Sequence, residues 1–136
     1  DGLMSVFGAP MPLPEHEEQA VRAAQEMVEM MVLFNRERAA SEKTPINIGI
    51  GIASGEMVAG YTGTNERATY TCIGDTVNLA ARLETHTKVV QRAILIDQAT
   101  RAALSERIAV EGLGPVPFRG KAAAVEVFSV NPGQTR

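Results

Sequence analysis

Asn78 and Arg82 are the residues in this sequence best suited to chemistry. An arginine offers five N–H donors in a planar fork and keeps its charge at any accessible pH, and an asparagine adds both a donor and an acceptor. Residues four apart share one helix face. Across Asp75 to Glu84, a spacing of about 100° per residue lays Val77, Leu79, Ala80, Ala81 and Leu83 over a broad apolar arc. Asn78, Arg82 and Thr85 then fall in a polar wedge roughly 60° wide. A solvated face would be wider and would carry Lys and Glu. A polar pair on an otherwise apolar helix needs a polar partner. An anionic ligand such as a phosphate is one candidate. The other is a carboxylate elsewhere in the fold, which would make Arg82 structural and leave Asn78 satisfied locally. Asp75, at the start of the run, reads as a helix N-cap.

Other reaction types are poorly supported. The sequence contains neither a serine triad nor a zinc-spaced Cys/His cluster. His16 and His86 stand alone and read as surface residues. The single cysteine, Cys72, rules out an internal disulfide and fits a reducing compartment. The net charge of −3 argues against a basic nucleic-acid surface. A local phosphate site remains compatible with it, because net charge does not describe a pocket. No apolar run approaches the ~20 residues needed to span a bilayer, and no secretory signal is visible. The expected location is cytoplasmic, either alone or as the cytoplasmic part of a larger, membrane-tethered protein.

The elements that must position these residues can be read from periodicity. Leu3 to Phe7 reads as a short strand, followed by a proline-rich connection through Pro10, Pro12 and Pro14. Glu15 to Ala40 reads as a helix, with acidic residues in its first turn. Ile46 to Ile52 alternates isoleucine with small residues, mostly glycine, so something must pack closely on the small face. Met57 to Tyr61 and Thr69 to Ile73 read as an antiparallel strand pair around a polar tip. Asp75 to about Thr87 is the second helix. Ala93 to Ile96 is a strand, and Asp97 caps a third helix through about Ser105. Arg107 to Val110 and Val125 to Val130 complete the strands, and residues 131–136 form a tail. The alternation implies an α/β layer architecture within 136 residues, one domain or part of one.

The run Gly74-Asp75-Thr76-Val77-Asn78-Leu79-Ala80-Ala81-Arg82-Leu83-Glu84 resembles the signature of class III adenylyl and guanylyl cyclases. Three further stretches resemble motifs of that family, in the family's order. Asp1 to Gly8 is similar to its metal-aspartate hairpin. Ile48 to Gly55 is similar to its glycine-rich strand, and Phe118-Arg119-Gly120-Lys121 to its late basic motif. The resemblance implies an α+β sandwich: a mixed, largely antiparallel central sheet flanked by helices, ferredoxin-like and of cyclase type. It implies that residues 1–130 are the C-terminal two-thirds of a catalytic domain whose earlier part lies upstream.

By the same resemblance, the activity is conversion of ATP to 3′,5′-cyclic AMP and pyrophosphate. Asp1 would help to hold two magnesium or manganese ions, with a partner aspartate upstream. Asn78 would orient the ribose and triphosphate, and Arg82 would stabilise the α-phosphate in the transition state. Arg119 stands at the phosphate-binding position, with Lys121 as the neighbouring alternative. Thr71 falls at the base-selecting position, as in a bacterial adenylyl subgroup, and Cys72 is one position away from the guanine-reading cysteine. The family's sites form between two domains, so a head-to-tail homodimer is expected, with Thr62 to Arg67 resembling the dimerisation arm. The alternatives are a guanylyl cyclase, and a cyclase-like regulatory or dimerisation module without catalysis.

Overall fold

A computed structural model describes residues 2–63 and 69–132, with the backbone alone for Thr62 and residues 69–71. Strands β1 (Ile50–Ile52), β4 (Ile94–Asp97), β5 (Val110–Val116) and β6 (Val125–Val130) form a sheet ordered β1-β4-β6-β5. The β1–β4 pair is parallel, and the β4–β6 and β6–β5 pairs are antiparallel. Strands β2 (Val58–Thr62) and β3 (Thr69–Ile73) form a separate antiparallel pair. The helices are α1 (His16–Ala40), α2 (Asp75–Val90) and α3 (Gln98–Ala102). This is the mixed α+β architecture expected from the sequence.

The period of two along β4 builds the core on both faces of the sheet. Ile94 and Ile96 point to one side and join Val21 and Ala24 of α1, Ile108 and Val130. Leu95 points to the other side and meets Leu79 and Leu83 of α2, and Val127. Ile94, Leu95 and Ile96 are fully buried, so this strand takes the apolar run of a strand covered on both faces. Fully burying one such side chain stabilises the fold by about 1.5–3 kcal/mol.

The small face of the alternating segment lies under α2. A Cβ on Gly51 would strike the carbonyl of Ala80 and the amide of Glu84, and one on Gly49 would strike the Thr87 hydroxyl. The isoleucine face, Ile50 and Ile52, packs on the α1 side. The two glycines therefore let α2 ride close against β1, which fixes the distance of the Asn78–Arg82 helix from the sheet.

Four expectations need correction. Residues 2–7 are not a strand, because no described strand pairs with them, and Leu3 is 94% exposed. Only Ile50–Ile52 of the alternating segment is paired; Ile46 is instead held through its amide and carbonyl by the Asn35 side chain, at 2.8 and 2.9 Å. The strand expected at Arg107 to Val110 begins where that reading ended and runs on through Gly112, Gly114 and Pro115, with a bulge between the two glycines. Those residues disguise a strand. Asp75 is not an N-cap: Gly74 holds that position with φ 138°, and no side chain caps the helix.

Candidate active site

The local sequence places α2 firmly. Leu79, Leu83 and Thr87 are buried at i, i+4 and i+8. Asn78, Arg82 and His86 form the adjacent stripe, rotated by about 100°. At the N-terminus, Thr76 Oγ1 donates to the Glu56 carbonyl at 2.8 Å. The outward arc is wider than the sequence suggested: Ala81, Thr85 and Val89 are exposed along with Asn78, and Val89 is 71% exposed. The expected narrow wedge is instead one border of a half-open helix surface.

A turn from the β5–β6 connection meets this stripe. The Lys121 amide donates to the Phe118 carbonyl at 3.2 Å, and Gly120 has φ 87°. Positive φ at the third turn residue favours glycine. The Phe118 ring meets the His86 ring edge-on, with centroids 5.4 Å apart and an interplanar angle of 84°. A Cβ on Gly120 would sit 3.6 Å from Arg82 Nη2. Arg82, Arg119 and Lys121 are thereby carried on two segments in contact. His86 is not the isolated surface residue the sequence suggested: it is half-buried and packs on the turn. Its position four residues after Arg82 was the available signal.

The ion pairs among the described residues are His16–Glu17, Arg22–Glu18 and Arg92–Glu111. Among the described residues, no carboxylate pairs with Arg82, Arg119 or Lys121. A half-buried guanidinium without a carboxylate partner among the described residues, against a turn that carries two further basic residues, suits an anionic ligand. Asn78 is exposed one turn before Arg82, and its side chain makes no hydrogen bond among the described residues.

The remaining candidates stand elsewhere or lie outside the described residues. Asp1 lies outside them. Of Thr71 only the backbone is described, paired with Gly60 in the β2–β3 hairpin that leads into α2. Cys72 is buried opposite Ala59. The expected dimerisation arm falls largely on residues 64–68, also outside the described residues. Asp75 is exposed in the first turn of α2, where a negative charge is favourable to the helix dipole. A groove of about 410 Å³ opens between α1 and residues 107–109 and 131–132, but its lining mixes Arg22 and Arg107 with Glu26 and Glu29. It shares no residue with the Asn78–Arg82–His86 stripe or with the 118–121 turn. No helix among the described residues is long and apolar enough to cross a membrane.

Comparison with known proteins points the same way as this geometry. The profile of the adenylate and guanylate cyclase catalytic domain matches residues 1–131. Adenylate cyclase 1 of Rhizobium meliloti (strain 1021) is 32% identical over 130 residues, covering 96% of this chain and 20% of that protein. The crystal structure of the guanylyl cyclase Cya2 superposes with a TM-score of 0.82 at 31% identity, covering 91% of this chain and 62% of that one. The adenylyl cyclase CyaB from P. aeruginosa superposes with a TM-score of 0.75 at 30% identity, covering 96% of this chain and 66% of that one. The chain thus spans about a fifth of the length of its Rhizobium relative.

Proposed function

The chain belongs to the adenylate and guanylate cyclase catalytic domain family, and on that premise we propose that it converts ATP to 3′,5′-cyclic AMP and pyrophosphate. The observation that carries the reading is Arg82, without a carboxylate partner among the described residues and set against the turn bearing Arg119 and Lys121. In the reaction the ribose 3′-oxygen attacks the α-phosphate, the bond to the β-phosphate oxygen breaks, and pyrophosphate leaves. Negative charge builds on the oxygens around the α-phosphorus. A guanidinium already fixed beside them stabilises that charge without reorganising at the moment of reaction. Arg82 takes this role. Asn78, on the same face one turn earlier, orients the ribose and triphosphate. Arg119 binds the leaving phosphates, with Lys121 beside it, and Thr71 contacts the base.

The proposal includes two divalent cations, magnesium or manganese, with Asp1 as one ligand. Such hard cations take oxygen ligands and would lower the pKa of the attacking hydroxyl. Among the described residues no group of three His, Cys, Asp or Glu side chains is placed to hold a metal ion. That part of the chain does not fit a metal site by itself, and what it contributes is its cations and its asparagine.

The partner in this reading is a second copy arranged head to tail. Asn78, Arg119 and Lys121 are exposed, so the described residues supply one wall of a site. Val58 and Ile73, paired across the hairpin, are 67% and 58% exposed and offer apolar surface for a second copy to cover.

The likeness to the guanylyl cyclase Cya2 makes GTP the competing substrate. Turnover of each nucleotide by the intact protein, with magnesium or manganese and the products separated by chromatography, tests the reading. Cyclic AMP formed several-fold faster than cyclic GTP is the expected result. Equal or faster turnover of GTP overturns the base assignment, and no product from a folded protein favours a regulatory module.

A further inference from the structure

A hydrogen-bonded chain of three side chains joins Ser54 to the end of β4. Asp97 ends β4 and caps α3, its Oδ1 accepting from the Thr100 amide at 3.0 Å and from Thr100 Oγ1 at 2.6 Å. Thr100 Oγ1 also lies 2.6 Å from Ser54 Oγ. Asp97 is 7% exposed, Thr100 is fully buried and Ser54 is half-buried. A hydroxyl has one proton, and Thr100 gives its own to the carboxylate. Ser54 must therefore donate to Thr100. The order is Ser54 to Thr100 to Asp97. Bonds ending on a buried carboxylate are short and reinforce one another.

Capping α3 requires only the bond from the Thr100 amide. The two hydroxyls do something else: they tie the β1–β2 connection to β4. The next residues of that connection bear on α2. A Cβ on Gly55 would lie 2.8 Å from Thr76 Oγ1. The Glu56 carbonyl accepts from that same hydroxyl at 2.8 Å, and a Cβ on Gly74 would lie 3.6 Å from Met57 Cα. Residues 54–57 thus form a bracket between the sheet and the first turn of α2, two residues before Asn78.

We infer that Ser54 and Thr100 are positioning residues for the active site, holding the bracket that sets the first turn of α2 and so the placement of Asn78 and Arg82. Neither has to touch substrate. The catalytic half of this inference rests on the proposed function, but its structural half does not.

The test uses Ser54→Ala, Thr100→Val and Thr100→Ser in the intact protein. Amide hydrogen exchange is measured at residues 78–81, whose amides are the first of α2 to hydrogen-bond within the helix, and at the distal half of α2, together with kcat, the KM for ATP and stability to urea. For Ser54→Ala and Thr100→Val, exchange at residues 78–81 should rise about fivefold to tenfold, the effect of losing one hydrogen bond, while the distal half changes little. kcat should fall about tenfold with KM within about twofold, because groups acting in the transition state are displaced. Thr100→Ser should restore both. Exchange that rises uniformly, or not at all, overturns the bracket. A loss of kcat that serine fails to rescue overturns the positioning role. If Thr100→Val does not fold, Ser54→Ala on its half-buried connection decides the matter alone. If the parent protein forms no cyclic nucleotide, the proposed function fails, and exchange still decides whether the bracket exists.

Discussion

Gly120 and Arg82, distant in sequence, are in van der Waals reach: a Cβ at position 120 would sit 3.6 Å from Arg82 Nη2. This contact joins the basic turn to the helix that carries Asn78. It depends on a backbone φ of 87°, which side chains other than hydrogen rarely adopt.

Gly120→Ala should therefore cost about 1–2 kcal/mol through backbone strain more than through collision, since 3.6 Å is an ordinary contact distance. Relief of that strain would reshape the turn and move Arg119 and Lys121. The KM for ATP should rise several-fold. Thermal unfolding and steady-state kinetics check the two effects separately, and an unchanged KM would show that the turn does not touch the nucleotide.

The two cations of that turn can be ranked. In the proposed reading Arg119 is the phosphate-binding residue and Lys121 its neighbouring alternative. Arg119→Ala should weaken apparent ATP affinity more than Lys121→Ala does, by a further factor of about ten if a charge-assisted bond is lost. Affinity measured with a non-hydrolysable analogue settles the order. The opposite order would move the phosphate contact to Lys121.

Acid stability offers a test away from the site. Glu18 accepts from the Ser105 amide at 3.0 Å and pairs with Arg22 at 3.1 Å. The Ser105 hydrogen bonds, chiefly to its backbone, and then Arg22 hold its carboxyl below the usual glutamate value of 4.5. A folded-state pKa below the unfolded one adds stability that is present above about pH 4.5 and is lost as pH falls through the folded value. Glu18→Gln should lower stability near neutrality and flatten the decline below pH 4.5. Urea denaturation at several pH values checks this. Added salt should reduce only the part due to the exposed Arg22 pair.

Much of this was legible in the sequence because strong periodicity marks strongly packed elements. The α1 helix, the β2–β3 pair, α2, β4 with the Asp97 cap, and β6 all carry such patterns, and the structure places them near their expected bounds. The glycine face at Gly49 and Gly51 correctly announced a close neighbour, which is α2. Strand β5 was obscured because Gly112, Gly114 and Pro115 have low strand propensity and are tolerated by the bulge between the glycines and by the strand's place at the sheet edge. The Asn78–Arg82 pair was visible from spacing. Its juxtaposition with the 118–121 turn was not, because tertiary contact between segments so far apart leaves no periodic trace. His86 was misread for the same reason, since Phe118 lies in another element.

Arg82 carries the central claim, and the most direct measurement is turnover of Arg82→Ala under saturating ATP, with thermal unfolding measured on the same sample. As a group that stabilises developing charge, its loss should lower kcat by about 10²-fold or more, with a much smaller change in KM. Arg82→Lys should recover little, because an ammonium cannot reproduce the planar fork. Unfolding should stay close to that of the parent protein, since no carboxylate among the described residues is left unpaired. Near-full turnover in a folded Arg82→Ala variant would contradict the account, as would a collapse of stability that accompanies the loss of activity.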